Sequence, residues 1–411
     1  MAYEAKLPPT TPITVSVFGI QHHTPTQDPS SLITTLRSLL ADAPPPVHTE
    51  TLTQDTPVRT TILLTHWPSH TSFNTWFTSQ PVSSFWSSLS EKDAGVYREI
   101  ITVPPSLTQH ATSNPTRPCG LARLGTLEPL QGKSGYWGCY YDRMGEGTGS
   151  REMNTETVFQ KAEEAADLKA GAGVGVAAGG KCPFQDKDTE GPPSLSPPSL
   201  HSTISSPDGT GPATAPESAI SSTPSNITIH PGRLTPPPLP NNICFVIEGQ
   251  DHALLHPLEK AHWHKDLDGS VSSWIEDLVT ASKTPSDTGV LEARICYDGD
   301  SGLYHPDEKE IQTPAALDYN RKVQLFYFSD MHAMEKIGRE NQGHVRLRRR
   351  FLQDYGPGGV MAQIQENAMN HGGPGLGLLL WVECSILQGR DIECEYVGCV
   401  EGTGLMGVKW A

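Results

Sequence analysis

Apolar positions recur along this chain in two alternating rhythms. Ile13–Ile20 (ITVSVFGI) alternates with a period of two, as a strand with one covered face does. Pro29–Ala41 (PSSLITTLRSLLA) spaces its leucines at helical intervals behind a serine cap. Thr60–Trp67 reads as a second strand, Ser72–Ser79 as an aromatic-bearing helix, Val96–Val103 as an extended segment and Gly135–Gly138 as a tight strand. After a long interruption the rhythm resumes. Strands are predicted over Ile243–Glu248, Val290–Tyr297, Val323–Ser329, Leu376–Leu387 and Glu393–Val400, with helices over Val271–Ser282 and Gly343–Asp354. Strand–helix–strand occurs at least twice, with extra strands between. This predicts an α+β protein built from a duplicated unit, each half a sheet with helices on one face.

The interruption is compositional. Gly191–Pro240 contains 13 Pro, 10 Ser, three charged side chains and no aromatic residue. Such a stretch cannot bury enough apolar area to offset its chain entropy. Upstream, Ala165–Gly180 is rich in Ala and Gly. We expect a disordered insertion over 146–241, with a short helix near Thr157–Leu168 and ends that emerge close together. Residues 1–145 then form the N-terminal half and the start of the second, and 242–411 the C-terminal half.

Composition narrows the class. The 411 residues carry 30 Lys+Arg against 46 Asp+Glu, a net charge of −16, which argues against nucleic acid as a partner. No apolar run approaches the roughly 20 residues of a membrane helix. The N-terminus lacks a basic segment followed by an apolar core. A soluble, cytoplasmic protein is expected. The eight Cys show no CxxC pair and read as free, mostly buried thiols.

Three constellations could carry chemistry. His252, His256, His262 and His264 have spacings open to a metal ion, but neither a carboxylate nor a Cys completes a known pattern, and a polar loop is the ordinary reading. The helix GHVRLRRRFLQD places His344 before Arg346, Arg348, Arg349 and Arg350, with Val345, Leu347, Phe351 and Leu352 as an inward stripe. A solvated Arg face is the plain interpretation; a helical His ligating iron, with Arg meeting haem propionates, is the sharper one. In SGYWGCYYDR two Gly flank a Tyr-Trp pair, which suggests close approach to something flat, and Asp142 sits beside Arg143. An aromatic core strand with a surface ion pair accounts for the same residues. Cys182-Pro183, a dipeptide sometimes tied to haem, lies in low-complexity sequence and reads as chance.

These segments also carry a family resemblance. SVFGIQHH is similar to the first strand and G-x-Q element of the haem-containing aldoxime dehydratases. WFTSQPVSSFWSS with GVYREIITVP is similar to their Trp-rich helices and FREI strand, and SGYWGCYYDR to their HGYWGSMRDR motif. The closing segment, where EY, Cys399 and Thr403-Gly404 recur, is similar to their last strand pair. The resemblance spans nearly all of the chain outside the insertion.

It implies two fused ferredoxin-like halves with a haem site in the C-terminal half, a homodimer, and ferrous haem b. It also implies a small-molecule aldoxime substrate dehydrated to a nitrile. His344 matches the helical iron ligand and Arg143 the distal hydrogen-bond donor. Two positions depart from the family. Val382 stands where its distal His precedes Glu in an L-x-L-[WY]-H-E strand. Matched to ALIRSG, the stretch Ala253–Leu258 puts Pro257 at or next to the distal Ser. Neither side chain can move a proton. His256 is then the nearest replacement donor, and His110 a second. The same departures suit a haem-binding relative with lost or altered catalysis, such as a sensor, carrier or peroxidase-like protein. A non-haem scaffold working through the Pro/Ser-rich insertion is a third reading.

Overall fold

The computed structural model describes residues 3–23, 27–45, 47–129, 227–304, 315–356, 358–370 and 375–408. Two units divide the chain: Met1–Gly173 with Thr228–Ala411, and Val174–Ile227. Apart from Ile227, the second unit lies outside the described residues.

Thirteen strands among the described residues join into one antiparallel sheet in the order β7-β1-β6-β12-β9-β11-β10-β3-β4-β2-β5-β13-β8. They are β1 (Tyr3–Lys6), β2 (Ile13–Gln21), β3 (His48–Gln54), β4 (Thr60–Trp67), β5 (Val96–Val103), β6 (Thr108–Thr112), β7 (Thr126–Pro129), β8 (Ile229–Leu234), β9 (Ile243–Asp251), β10 (Val290–Tyr297), β11 (Arg321–Phe328), β12 (Leu379–Leu387) and β13 (Ile392–Val400). One order occurs twice. β2 to β5 lie as β3-β4-β2-β5, and β9 to β12 as β10-β11-β9-β12, so the first strand of each set sits between the third and fourth. Each set runs β-α-β-β-α-β. The halves join where β10 pairs with β3, Cys296 opposite Gln54. They also exchange ends: β1 and β6 extend the C-terminal half past β12, and β13 extends the N-terminal half past β5.

The alternation of side chains gives three apolar layers. One face of both halves meets in a shared interior containing Val15, Ile62, Tyr97, Phe245, Leu325, Trp381 and Tyr396. The outer face of the N-terminal half is covered by α1 (Pro29–Ala41), α2 (His70–Phe77) and α3 (Gln80–Ser87). The outer face of the C-terminal half is covered by α4 (Pro257–Asp266), α5 (Asp268–Ala281), one-turn α6 (Pro285–Thr288), α7 (Met331–Glu340), α8 (Gln342–Tyr355) and α9 (Val360–Asn370).

The shared interior is latched by a buried polar network. Glu99 on β5 accepts from Arg294 Nη2 on β10 at 2.5 Å, Tyr327 on β11 at 2.9 Å and Tyr396 on β13 at 2.6 Å. A Cβ at Gly404, where φ is +51°, would stand 2.4 Å from the Glu99 carboxylate. Gln21 accepts from the Val400 N–H at 2.9 Å and donates to Thr403 at 2.8 Å. The residues behind much of the family resemblance (Gln21, Glu99, Tyr396, Thr403, Gly404) therefore join the halves rather than perform chemistry.

Several expectations change. The first helix is capped by Asp28, which accepts from Ser30 and Ser31. The aromatic helix is two helices, separated by Thr78 and Ser79. The expected insertion does not extend to 241: Ile229–Leu234 is an edge strand on β13, held by Arg233 to Glu91 and Glu395. Its composition suggested disorder, but pairing supplies the hydrogen bonds that local burial does not. The expected Gly135–Gly138 strand and Thr157–Leu168 helix lie outside the described residues. The six described Cys are free and buried. Among the described residues no helix is long and apolar enough to cross a membrane.

Candidate functional site

The site begins at the start of α8. Asn341 caps the helix, accepting from the His344 N–H at 2.8 Å and donating to Asp277 on α5 at 2.6 Å. This sets His344 in the first turn. Its Nδ1 lies 2.6 Å from the Gly338 carbonyl. A carbonyl only accepts, so Nδ1 carries the proton and Nε2 keeps its lone pair. Burial lowers the imidazole's pKa, the Gly338 carbonyl opposes this, and Arg348 adds to the lowering. The ring is therefore held neutral, the form that ligates metal.

Trp274 on α5 stacks on this imidazole with centroids 4.3 Å apart and planes 29° from parallel. The indole N–H in turn donates to Glu248 on β9. Glu248 lies on the helix-covered face of the sheet, in a cross-strand row Ala111–Val382–Glu248–Gln324 contributed by β6, β12, β9 and β11. Its carboxyl is pushed up to about 7 by burial, with the Trp274 hydrogen bond opposing. It nonetheless keeps some accessible surface, as a group lining a cavity does. Beside it, Gln324 Nε2 and Gln250 Oε1 are buried with no hydrogen-bond partner among the described residues. Unpaired buried polar atoms each cost about 1–3 kcal/mol, and here they share one sheet face. This arrangement can hold a metal through His344 and present a carboxyl and two amides on the sheet side.

The other predicted residues go elsewhere. Arg143 lies outside the described residues. His256 caps α4: its Nδ1 accepts from the Leu258 N–H at 3.3 Å, and its backbone N–H donates to Glu259. His110 belongs to the opposite face. It pairs across strands with Glu383, while its neighbour Ala111 pairs with Val382. Buried in the shared interior, it is driven down to about 4. Glu383 there pairs with His66 at 3.1 Å and accepts from the Leu121 N–H at 2.9 Å.

The histidine group does not converge. His252 meets the edges of Trp263 and Tyr304, His264 stacks on Tyr304, and His262 binds Asp266 and Asp354. Among the described residues no cluster of three His, Cys, Asp or Glu could hold a metal ion. Of the Arg run, Arg350 is held by Asp354 and Asp266, and Arg346 and Arg349 are exposed.

Pro257, the residue matched by resemblance to the family's distal Ser, opens α4. Val246-Ile247-Glu248-Gly249 lies inside β9, with Glu248 opposite Val382. Glu248 was missed in the sequence, where its signal is a lone carboxylate in the apolar run ICFVIEG. Trp274 carried no signal beyond a helical core position.

The sequence of haem-containing dehydratases matches residues 16–175 and 201–405. The chain belongs to the haem-containing dehydratase family. Two solved structures share its fold. One is aldoxime dehydratase OxdRE in complex with butyraldoxime: TM-score 0.63, 14% identity, covering 100% of this chain and 89% of that one. A second aldoxime dehydratase crystal structure gives a TM-score of 0.62 at 13% identity, over 100% and 92% of the two chains. No curated protein matches the chain in sequence. Membership makes haem the group to test against the residues present. The neutral, Nδ1-tethered imidazole of His344 fits it, as do Gln324 Nε2 and Gln250 Oε1 on the helix-covered sheet face, which have no hydrogen-bond partner among the described residues.

Proposed function

We propose that this dehydratase converts aldoximes to nitriles with His344 as the protein ligand to haem b. The carrying observation is the 2.6 Å hydrogen bond from His344 Nδ1 to Gly338, which leaves Nε2 as the ligating atom and fixes the ring. Haem, when bound in its ferrous state, supplies an iron that takes the aldoxime nitrogen and lends and recovers electrons. Trp274 limits rotation of the imidazole from one face. The apolar neighbours Val246, Val382 and Phe326 exclude water from the sheet side. Arg346 and Arg349, exposed on α8, are cations suited to propionates. Arg143, the counterpart of the family's distal donor by resemblance, would give fixed hydrogen bonds to the departing oxygen. A cytoplasmic homodimer belongs to the same reading through that resemblance.

The test is turnover. Haem-loaded protein reduced with dithionite is expected to form phenylacetonitrile from phenylacetaldoxime. Val382, in place of the family's distal His, favours a second reading, a haem protein with lost or altered catalysis. Full haem occupancy with no nitrile from aryl or alkyl aldoximes selects that one.

A further inference from the structure

With Val382 inert and His110 on the other face, the sheet side of the site needs a group that can move a proton. Resting on the aldoxime reading above, we propose that Glu248 is the acid and base of the dehydration. Three observations meet at this residue. It stands directly across from Val382 in the β9–β12 register. It is joined to the imidazole of His344 through Trp274, so it faces the helix layer that carries the ligand. And it lies on the face where Gln324 Nε2 and Gln250 Oε1 have no partner among the described residues.

The step balances without an external reductant. As a carboxylic acid Glu248 gives its proton to the aldoxime hydroxyl, and the N–O electron pair leaves with oxygen as water. The resulting carboxylate takes the hydrogen on carbon as a proton, and the C–H pair becomes the third carbon–nitrogen bond. Glu248 ends protonated, ready for the next substrate. Gln324 and Gln250 can hydrogen-bond the hydroxyl as it departs.

The surroundings suit an acid that titrates near neutrality. Burial raises its carboxyl to about 7, opposed by the Trp274 N–H. The titratable groups on the packed elements are otherwise engaged. Lys322 on β11 lies over the Tyr304 ring and is acted on by Asp268 and Asp318. Cys384 on β12 contacts Cys244. On α8 His344 is neutral and Arg348 acts on it, while Asp277 on α5 holds Asn341.

The test uses the full haem-loaded chain and Glu248→Gln. The variant is expected to keep the Soret band and its shift on adding phenylacetaldoxime, yet to lose at least about 100-fold in nitrile formation. Wild-type turnover is expected to fall as pH rises through about 7. The carboxylic-acid C=O stretch that disappears over the same range is expected to be missing from Glu248→Gln. Adding Val382→His to that variant is expected to restore part of the rate. Wild-type turnover in Glu248→Gln, or an infrared spectrum unchanged by the substitution, overturns the assignment alone. Haem-loaded wild type that forms no nitrile overturns the aldoxime reading and this assignment with it.

Discussion

On the N-terminal half, α1, α2 and α3 bury Leu32, Leu36, Leu40, Phe73, Trp76, Val82, Phe85 and Trp86 against Phe18, Leu63 and Trp67 of the sheet. On the C-terminal half, α8 buries only Asp354, and Leu347, Phe351 and Tyr355 stay partly covered. The N-terminal sheet face under its helices sets the small hydroxyls of Ser16 and Thr65 among apolar side chains, with Arg98 lying over the Phe77 and Trp86 rings; the C-terminal face carries Glu248, Gln250 and Gln324 in one region. The same strand order thus supports one layer whose helices all bury apolar side chains on the sheet and another in which α8 is only partly covered and polar groups stand inside. Close packing is what stability requires, so the layer that lacks it is where a ligand belongs.

Substitutions should separate the two layers. The largest effect is expected from the latch they share. Glu99→Ala removes the carboxylate that Arg294, at 1% exposure, shares with Tyr327 and Tyr396 and leaves the guanidinium with Glu292 alone of its two carboxylate partners, which should cost about 3–5 kcal/mol in urea unfolding. Trp76→Ala removes a ring that contacts Phe18, Trp67 and Phe73 and donates to the Leu39 carbonyl at 2.7 Å. It should cost about 3–5 kcal/mol while haem uptake per folded molecule is unchanged. Equal loss of haem affinity and stability would erase the distinction between the layers.

Glu248→Gln should act in the opposite direction. Its acid is raised above the unfolded value by burial, to about 7. The folded state therefore holds the proton more tightly, and stability falls as pH rises from about 4.5 to about 7. Removing the charge should stabilise the haem-free protein by up to about 3 kcal/mol above that range and by almost nothing below it. Unfolding curves at the two pH extremes measure this, and a pH-independent effect would contradict it. The smallest change is expected from His256→Ala, which loses a helix cap worth about 1 kcal/mol and leaves nitrile formation as it was.

Much of the fold was legible because strong patterns became elements: Pro29–Ala41, Thr60–Trp67, Val96–Val103 and Val290–Tyr297 have the predicted limits. What escaped notice lacks periodic apolar residues. His48–Gln54 (HTETLTQ) is a strand because β4 and β10 flank it, and Ile229–Leu234 because β13 offers an open edge. In the candidate site, His344 was singled out by the family resemblance, since its own helix pattern reads equally as a solvated Arg face. Glu248 and Trp274 were not, since their roles depend on which strand lies beside β9 and which helix crosses it. Neither fact is local in sequence. The histidine run shows the converse: four residues close in the chain are sent to a ring pocket, a helix cap and an ion pair.

The central claim is that the imidazole of residue 344 ligates iron. The direct measurement is the absorption spectrum of reduced, haem-reconstituted wild type and His344→Gly, with and without added imidazole. A wild-type Soret band is expected that is lost or shifted in His344→Gly and restored when imidazole fills the space. A His344→Gly protein with the wild-type spectrum and haem affinity would contradict it.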